Sequence, residues 1–422
     1  MQQSPYIQEL ALRAREAMAA GQFDAAQRLW QQILSSAPDH AQALLHLGQI
    51  AMQRQDTVAA RQFFERATRA APQDPVMALN LSFAFRAADD ATGEMAALRS
   101  ALMIDPYFFP ALLAKGKLQE RVGNVKQAAK TYKDVLLILP PDDQISPGMR
   151  SSVDHARTIV AQNAEALNEH LDAKLQKARA RHGNAGLERF AQAQDVATGR
   201  KKVYTQQPTL LHYPGLPAIQ FYDRKEFPWL AALEAETGAI RQELEKVMRD
   251  EAEKFRPYVD HPAESPARQW LELNHSERWS VFFLWKDGEK REDACARCPR
   301  TAAAVEKLPL VRIPNFAPTI MFSTLAPHTH IPPHTSVTNT RLVVHLPLIV
   351  PPNCRFRVGN ETREWKVGEA WVFDDTIDHE AWNDSDELRV ILMIDVWNPH
   401  LSEAERDLVG DLLNGVRDYY AG

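Results

Sequence analysis

Apolar positions in the first third of the chain recur every 34 residues. Trp30, Phe64, Leu98 and Tyr132 form one large apolar column, and Ile33, Ala67, Ala101 and Val135 form another. Ala26, Ala60 and Ala128 make a small-residue column that Glu94 interrupts. Leu45, Leu79 and Leu113 repeat in the preceding segment of each period, beside the small residues Gly48, Ser82 and Gly116. Pro38, Pro72, Pro106 and Pro140 close the periods. The pattern predicts stacked helix pairs. A single pair cannot bury its apolar face alone, small residues let helices approach, and proline stops the second helix.

After Pro140-Pro141 a turn-rich stretch closes the array. Val153, Ile159, Val160, Ala164 and Leu167 then keep helical spacing, which predicts helix over 150–195. The basic, glycine-bearing Arg179–Gly186 and the later Gly199-Arg200-Lys201-Lys202 read as solvated surface. An amphipathic helix is expected over 229–256, with Leu233, Ile240, Leu244 and Val247 on its apolar side. Beyond Trp270 the texture becomes short β-type runs: Trp279–Trp285, Pro318–Leu325, Arg341–Val350, Arg355–Val358, Glu369–Phe373 and Leu388–Trp397. Turn signals such as Asp287-Gly288 and Gly359-Asn360 separate them. Short strands without long intervening helices suggest a sandwich or jelly-roll barrel.

The repeating unit resembles the tetratricopeptide repeat, with three to four copies over residues 5–142. The expected fold class is therefore multidomain α + β. An all-α repeat solenoid fills residues 1–143, a helical connector 144–205, and a β-rich catalytic domain 206–422. The concave face of such a solenoid usually binds a peptide or protein segment; the other reading is a packing or dimerisation module.

Charge and composition narrow the function classes. The net charge of −6 gives no basic field for nucleic acid or an anionic membrane. The first twenty positions mix Gln, Glu and Arg through their apolar residues and hold no secretory signal, and no apolar run approaches a membrane span. Only Cys295, Cys298 and Cys354 occur, which fits a reducing compartment; the expected location is cytoplasmic. Cys295 and Cys298 form a lone C-x-x-C, read as two free thiols in a loop, because no second pair lies nearby.

The chemistry concentrates between Ser323 and Trp397. One stretch carries His328, His330 and His334, and a second carries Asp374, Asp375 and His379; each precedes a strongly apolar β-type run. Two histidines far apart in sequence on the strands of one barrel are a common way to build a mononuclear metal site. Spacing alone leaves His328, His330 and His334 as competitors for the first position. Ser336 stands where a facial triad would place an acid. Arg389 is the only cation of the final run, and its planar fork suits a carboxylate. Period-two alternation puts Arg389, Ile391, Met393 and Asp395 on one face, and Arg341, Val343 and His345 on one face of the earlier run. If both faces line the interior, the cavity suits a small dianion beside a metal. Asp375 is a candidate to orient His379 through a hydrogen bond, Asp374 could equally hold that role, and the other reading is that either Asp simply caps the turn.

Residues from about 206 to 400 resemble the aspartyl/asparaginyl β-hydroxylase family of Fe(II)/2-oxoglutarate oxygenases. The resemblance is carried by Tyr213-Pro214-Gly215-Leu216, Phe221-Tyr222-Asp223-Arg224, Pro333 through Asn339, Phe373-Asp374-Asp375-Thr376 with His379-Glu380-Ala381-Trp382, and Asp395 through Pro399. It implies a double-stranded β-helix and iron held by two histidines, His334 and His379, without a carboxylate ligand. It also implies that Arg389 and Ser323 hold the distal carboxylate of 2-oxoglutarate and that His345 lies near its other end. Arg341 is then an active-site wall residue for the substrate carboxylate or the 2-oxo acid. Val343 departs from relatives that carry a second arginine there. With dioxygen, such an enzyme would hydroxylate the β-carbon of an aspartyl or asparaginyl residue in a protein or peptide recruited by the repeats. The alternatives are a small-molecule or lipid acyl-chain hydroxylase, and a non-catalytic scaffold with a degenerate oxygenase fold.

Overall fold

The structure is a computed structural model that describes residues 4–182, 187–262, 264 and 268–421. The chain divides into two compact units, Met1–Lys201 and Lys202–Gly422.

The first unit is helical. Its elements are α1 (Pro5–Ala19), α2 (Phe23–Ser36), α3 (Ala41–Gln53), α4 (Thr57–Ala70), α5 (Pro75–Ala87), α6 (Ala91–Ile104), α7 (Phe109–Arg121), α8 (Val125–Leu137), α9 (Pro147–His182) and α10 (Glu188–Thr198). Each of the first nine packs against the next in sequence. The prolines of the repeat fall just past the ends of α2, α4, α6 and α8. Asp56 and Asp90 cap α4 and α6 by accepting from the backbone N–H of Ala59 (3.0 Å) and Gly93 (2.8 Å), which satisfies donors the helix start leaves free. The columns Trp30, Phe64, Leu98, Tyr132 and Ile33, Ala67, Ala101, Val135 are fully buried. Glu94, which breaks the alanine column, is buried as well and ion-paired with Arg121 of α7. A charge replaces a methyl group here because a partner from the next hairpin matches it. The helix expected over 150–195 is two helices; residues 183–186, part of the basic stretch, lie outside the described residues.

The small residues of the repeat have a steric reason. A Cβ added to Gly48 would overlap the Phe64 ring, and one added to Gly116 would overlap Tyr132. Gly48→Val is expected to destabilise this unit by about 1–3 kcal/mol through overpacking. Gly148→Ala, where the added Cβ meets nothing, is expected to stay within about 1 kcal/mol of the wild type. Thermal unfolding of the two variants checks this.

The second unit is β-rich. It comprises α11 (Leu230–Ala235), α12 (Thr237–Asp250), β1 (Arg256–Pro257), β2 (Trp279–Lys286), β3 (Glu289–Lys290), α13 (Glu292–Arg297), α14 (Pro299–Val305), β4 (Ile320–Leu325), β5 (Thr329–His334), β6 (Arg341–Ile349), β7 (Cys354–Val358), β8 (Glu361–Glu364), β9 (Trp371–Phe373), β10 (His379–Asn383), β11 (Arg389–Trp397) and α15 (Glu403–Ala421). The larger sheet runs β1-β2-β4-β11-β6-β9, with β3 paired to β2, and the smaller runs β5-β10-β7-β8. All named pairs are antiparallel.

Alternation along the strands sorts the two faces. Val390, Leu392, Ile394 and Val396 of β11 pack with Leu342, Val344, Leu346 and Leu348 of β6 against Leu230, Ile240, Leu244 and Val247 of α11 and α12. Ile391 and Val343 point the other way and pack with Ile331, Phe356, Val358 and Ala381 of the smaller sheet. The larger sheet thus lies between a helical layer and the smaller sheet. The single helix expected over 229–256 is interrupted at Glu236, where Thr237 Oγ1 donates to the Glu234 carbonyl (2.6 Å). Cys295 lies in α13 and Cys298 is its C-cap, so these thiols are helical rather than in a loop. Both are free and buried, and burial pushes them up to about 11 and about 12.

Five strands escape the sequence pattern, the short β1, β3 and β8 and the two that bear on the site, β5 and β10. β5 contains Pro332 and Pro333, which lack the N–H that a central strand needs. It is an edge strand, the position in a sheet that tolerates proline.

Candidate active site

Between the two sheets lies a cavity of about 640 Å³. Arg389, Ile391, Met393 and Asp395 of β11 and Arg341, Val343 and His345 of β6 all line it, as alternation requires. His334, His379 and Ser323 line it too.

The pairing of β5 with β10 selects among the three histidines of the first stretch. Trp382 faces His330 and Ala381 faces Ile331, yet His379 faces His334. Three residues of β5 therefore span two of β10, a bulge at Pro332-Pro333. By plain alternation His334 would share the outer face with His330; the extra residue turns it inward. His334 and His379 then stand with ring centroids 4.1 Å apart. His330 stacks on Trp382 at 4.9 Å with its Nε2 2.9 Å from a Glu380 carboxylate oxygen, and His328 Nε2 lies 2.9 Å from Asp386. Neither His328 nor His330 lines the cavity.

The two inward rings are fixed in the same way. His334 Nδ1 lies 2.8 Å from the Pro332 carbonyl, and His379 Nδ1 lies 3.0 Å from the Ile377 carbonyl. A carbonyl only accepts, so each Nδ1 carries the proton and each Nε2 keeps a free lone pair. Burial lowers both rings, His334 to about 3 and His379 to about 4. Neutral imidazoles with oriented Nε2 atoms are what a metal requires. Neither Asp375 nor Asp374 orients His379; for Asp374 the turn-capping alternative holds, its Oδ1 accepting from the Thr376 backbone N–H (3.0 Å). Asp375 pairs with Arg341, and Asp374 accepts from Thr376 and Gln206. Backbone carbonyls two residues upstream do this work instead. Among the described residues no cluster of three or more His, Cys, Asp or Glu side chains suited to a metal occurs.

Arg389 is 1% exposed and has no carboxylate partner among the described residues. Its Nη1 donates to the Ser323 carbonyl (3.3 Å), its Nε has no partner, and its guanidinium lies 4.9 Å from the Trp365 ring centre. Burial lowers it to about 10. A buried cation left without an anion is costly, and a ligand carboxylate would relieve that cost. Trp279 Nε1 donates to Ser323 Oγ (3.1 Å), which leaves the hydroxyl hydrogen free for another acceptor. Trp365 Nε1 donates to His345 Nδ1 (3.4 Å), so the His345 proton sits on Nε2, an atom with no partner. Burial, then Arg389, holds His345 well below the usual imidazole range. The residues present fit a dianion beside a metal: one unmatched cation, one free hydroxyl donor, and two bare imidazole nitrogens.

Arg341 differs from Arg389. Its guanidinium pairs with Asp395 and with Asp375 (3.2 Å), and Nη2 donates to Ser336 Oγ (2.7 Å). Burial works against its charge, but the two carboxylates more than offset this and raise it above the ordinary guanidinium value. Sequence reasoning missed Trp279, Trp365 and Trp270, whose ring packs edge-on to His334 at 5.0 Å. None sits in a motif, and their roles depend on contacts between distant strands.

The family model of aspartyl/asparaginyl beta-hydroxylase matches residues 234–399, which hold every residue of this cavity centre. Residues 234–399 form an aspartyl/asparaginyl β-hydroxylase domain. The tetratricopeptide repeat model matches residues 12–75. The chain is 29% identical over 304 residues to the human aspartyl/asparaginyl beta-hydroxylase, a match covering 68% of this chain and 38% of that protein. It is 39% identical over 197 residues to the ornithine lipid ester-linked acyl 2-hydroxylase of Rhizobium tropici, covering 46% of this chain and 66% of that protein. The chain thus spans well under half the length of its human relative. A thermophilic TPR protein of Thermus thermophilus overlays with a TM-score of 0.32 at 19% identity, covering 46% of this chain and 99% of that one. The aspartyl/asparaginyl β-hydroxylase domain places this chain among hydroxylase relatives that include a lipid acyl 2-hydroxylase. Among the described residues no helix is long and apolar enough to cross a membrane.

Proposed function

We propose that the second unit is a double-stranded β-helix oxygenase dependent on Fe(II) and 2-oxoglutarate. Its substrate is an aspartyl or asparaginyl residue of a protein or peptide recruited by the repeats and hydroxylated at the β-carbon. The observation that carries the oxygenase reading is Arg389, a buried cation without a carboxylate, facing the same cavity as the two bare Nε2 atoms of His334 and His379.

In this reading His334 and His379 hold the iron through Nε2. Arg389 takes the distal carboxylate of 2-oxoglutarate, the Ser323 hydroxyl donates to the same group, and His345 Nε2–H lies toward the cosubstrate's other end. When bound, the iron and cosubstrate supply oxidation of a C–H bond by dioxygen, with succinate and carbon dioxide released. The chain contributes geometry. The carbonyls of Pro332 and Ile377 hold the two rings, and Trp279 and Trp365 set the donor directions of Ser323 and His345. Apolar walls from Ile331, Val343, Phe356 and Ile391 keep water from the reacting carbon.

A second reading, hydroxylation of a lipid acyl chain, is favoured by one observation: identity to the acyl 2-hydroxylase is 39%, against 29% to the human relative.

The test is anaerobic titration of the chain with Fe(II) and 2-oxoglutarate. A visible metal-to-ligand charge-transfer band is expected, absent when either component is omitted. A folded protein that never develops the band would overturn the oxygenase reading and leave the repeat scaffold.

A further inference from the structure

The cavity holds more carboxylates than arginines. Among its described lining residues the cations are Arg341 and Arg389, and the acids are Asp260, Asp287, Asp375 and Asp395. The reading above commits Arg389 to the cosubstrate. Arg341 is already matched: with 13% of its side chain exposed, it is held by Asp375, Asp395 and the Ser336 hydroxyl. Val343, between Arg341 and His345 on the same face, supplies no charge. One Asp375 oxygen has no hydrogen-bond partner, so the negative charge there is only partly compensated. Asp260 and Asp287 are exposed and screened by water, and their sign is the same.

A side-chain carboxylate entering this cavity would lose its hydration and find no free cation, because the two charges of the iron in the reading above are matched by the 2-oxoglutarate dianion, and it would meet the field of Asp375 and Asp395. Burying an unpaired charge is far costlier than burying a neutral amide. Specificity built from an unfavourable charge contact is a general device. We propose that the side chain this site hydroxylates is uncharged: resting on the aspartyl/asparaginyl reading, asparaginyl peptides are substrates and aspartyl peptides are excluded. Arg341 is then a wall residue that positions Asp375 and Asp395 and does not receive a substrate carboxylate.

Two peptide libraries test this, random at the flanking positions, one with a central asparagine and one with a central aspartate. Each is offered to the full chain with Fe(II), 2-oxoglutarate and air, and gain of one oxygen is read by mass spectrometry. Retention of each library is measured separately on chain loaded with Zn(II) and 2-oxoglutarate, which cannot turn over. Asparagine peptides are expected to lead by about tenfold or more in both readouts. Asp395→Asn, which releases one edge of the Arg341 fork, is expected to raise the aspartate library and narrow the gap; Asp375→Asn provides the same release if the first variant fails to fold. Equal or better handling of aspartate peptides by the wild type overturns the proposal. So does an unchanged gap in a folded variant. If neither library is retained or oxidised by a chain that does show the charge-transfer band, the asparaginyl assignment falls while the oxygenase reading stands. Absence of the band removes the oxygenase reading itself.

Discussion

His379→Ala is expected to abolish turnover and iron binding together. In the proposed centre the iron would rest on two imidazoles, so removing one would leave a single protein ligand. Loss of an outer-shell partner alone typically costs about 10–100-fold in metal affinity, and losing one of two direct ligands costs more. The measurement is anaerobic Fe(II) titration followed by product analysis. Iron that stays bound with activity intact would rule out His379 as an essential ligand. His330→Ala is the control. That ring stacks on Trp382 outside the cavity, so its loss is expected to leave iron binding within about twofold, as for most exposed substitutions. Had the H-x-H pair been the chelating site, the two variants would exchange behaviour.

Arg389→Met is expected to separate stability from function. Without cosubstrate Arg389 is buried with no anion, and burial lowers it from the ordinary guanidinium range to about 10, a cost on the order of 3 kcal/mol. The sign follows from a base whose folded value is depressed. Below about 10 the guanidinium is charged in both states and the folded state bears the whole cost; the cost fades as pH rises from there toward the ordinary guanidinium value. An apolar side chain of similar length removes that cost, so the unfolding temperature without cosubstrate should hold or rise. Binding of 2-oxoglutarate should instead weaken by about 2–5 kcal/mol, two or more decades in Kd, because one partner of a buried charge pair is gone. Thermal unfolding and a 2-oxoglutarate titration of the same variant check both halves. Unchanged cosubstrate affinity would remove Arg389 from that role.

The repeats were legible because the same weak preference is written several times. One alanine proves little, whereas Ala26, Ala60 and Ala128 beside Gly48 and Gly116 mark where helices meet. Even the exception, Glu94, needed only its partner Arg121 to make sense, and that partner sits in the next hairpin, outside any local window. In the second unit, strict alternation in β6 and β11 was enough to put Arg341, His345, Arg389 and Asp395 on one face, and the cavity lies on that face. Apolar periodicity reports burial directly, so strands with one buried face announce themselves.

The histidine centre shows where that signal ends. β5 and β10 are short, partly polar strands, and β5 contains two prolines, so neither has the apolar rhythm of a core strand. Their geometry depends on pairing across 45 residues, from His334 to His379, and on one extra residue at Pro332-Pro333 that reverses the facing of His334. Ring orientation was likewise beyond the sequence: Asp375 and Asp374 were both candidates to orient His379 or to cap the turn, but Asp375 pairs with Arg341, Asp374 caps the turn, and the Ile377 carbonyl holds the ring. The sequence by itself determined the helical repeats, the two principal strands and the residue types of the site, because burial periodicity is local and additive. Only the tertiary structure decided which histidines meet, which arginine is left without an anion and which is already matched. Those outcomes depend on strand register and on where each buried charge finds its partner.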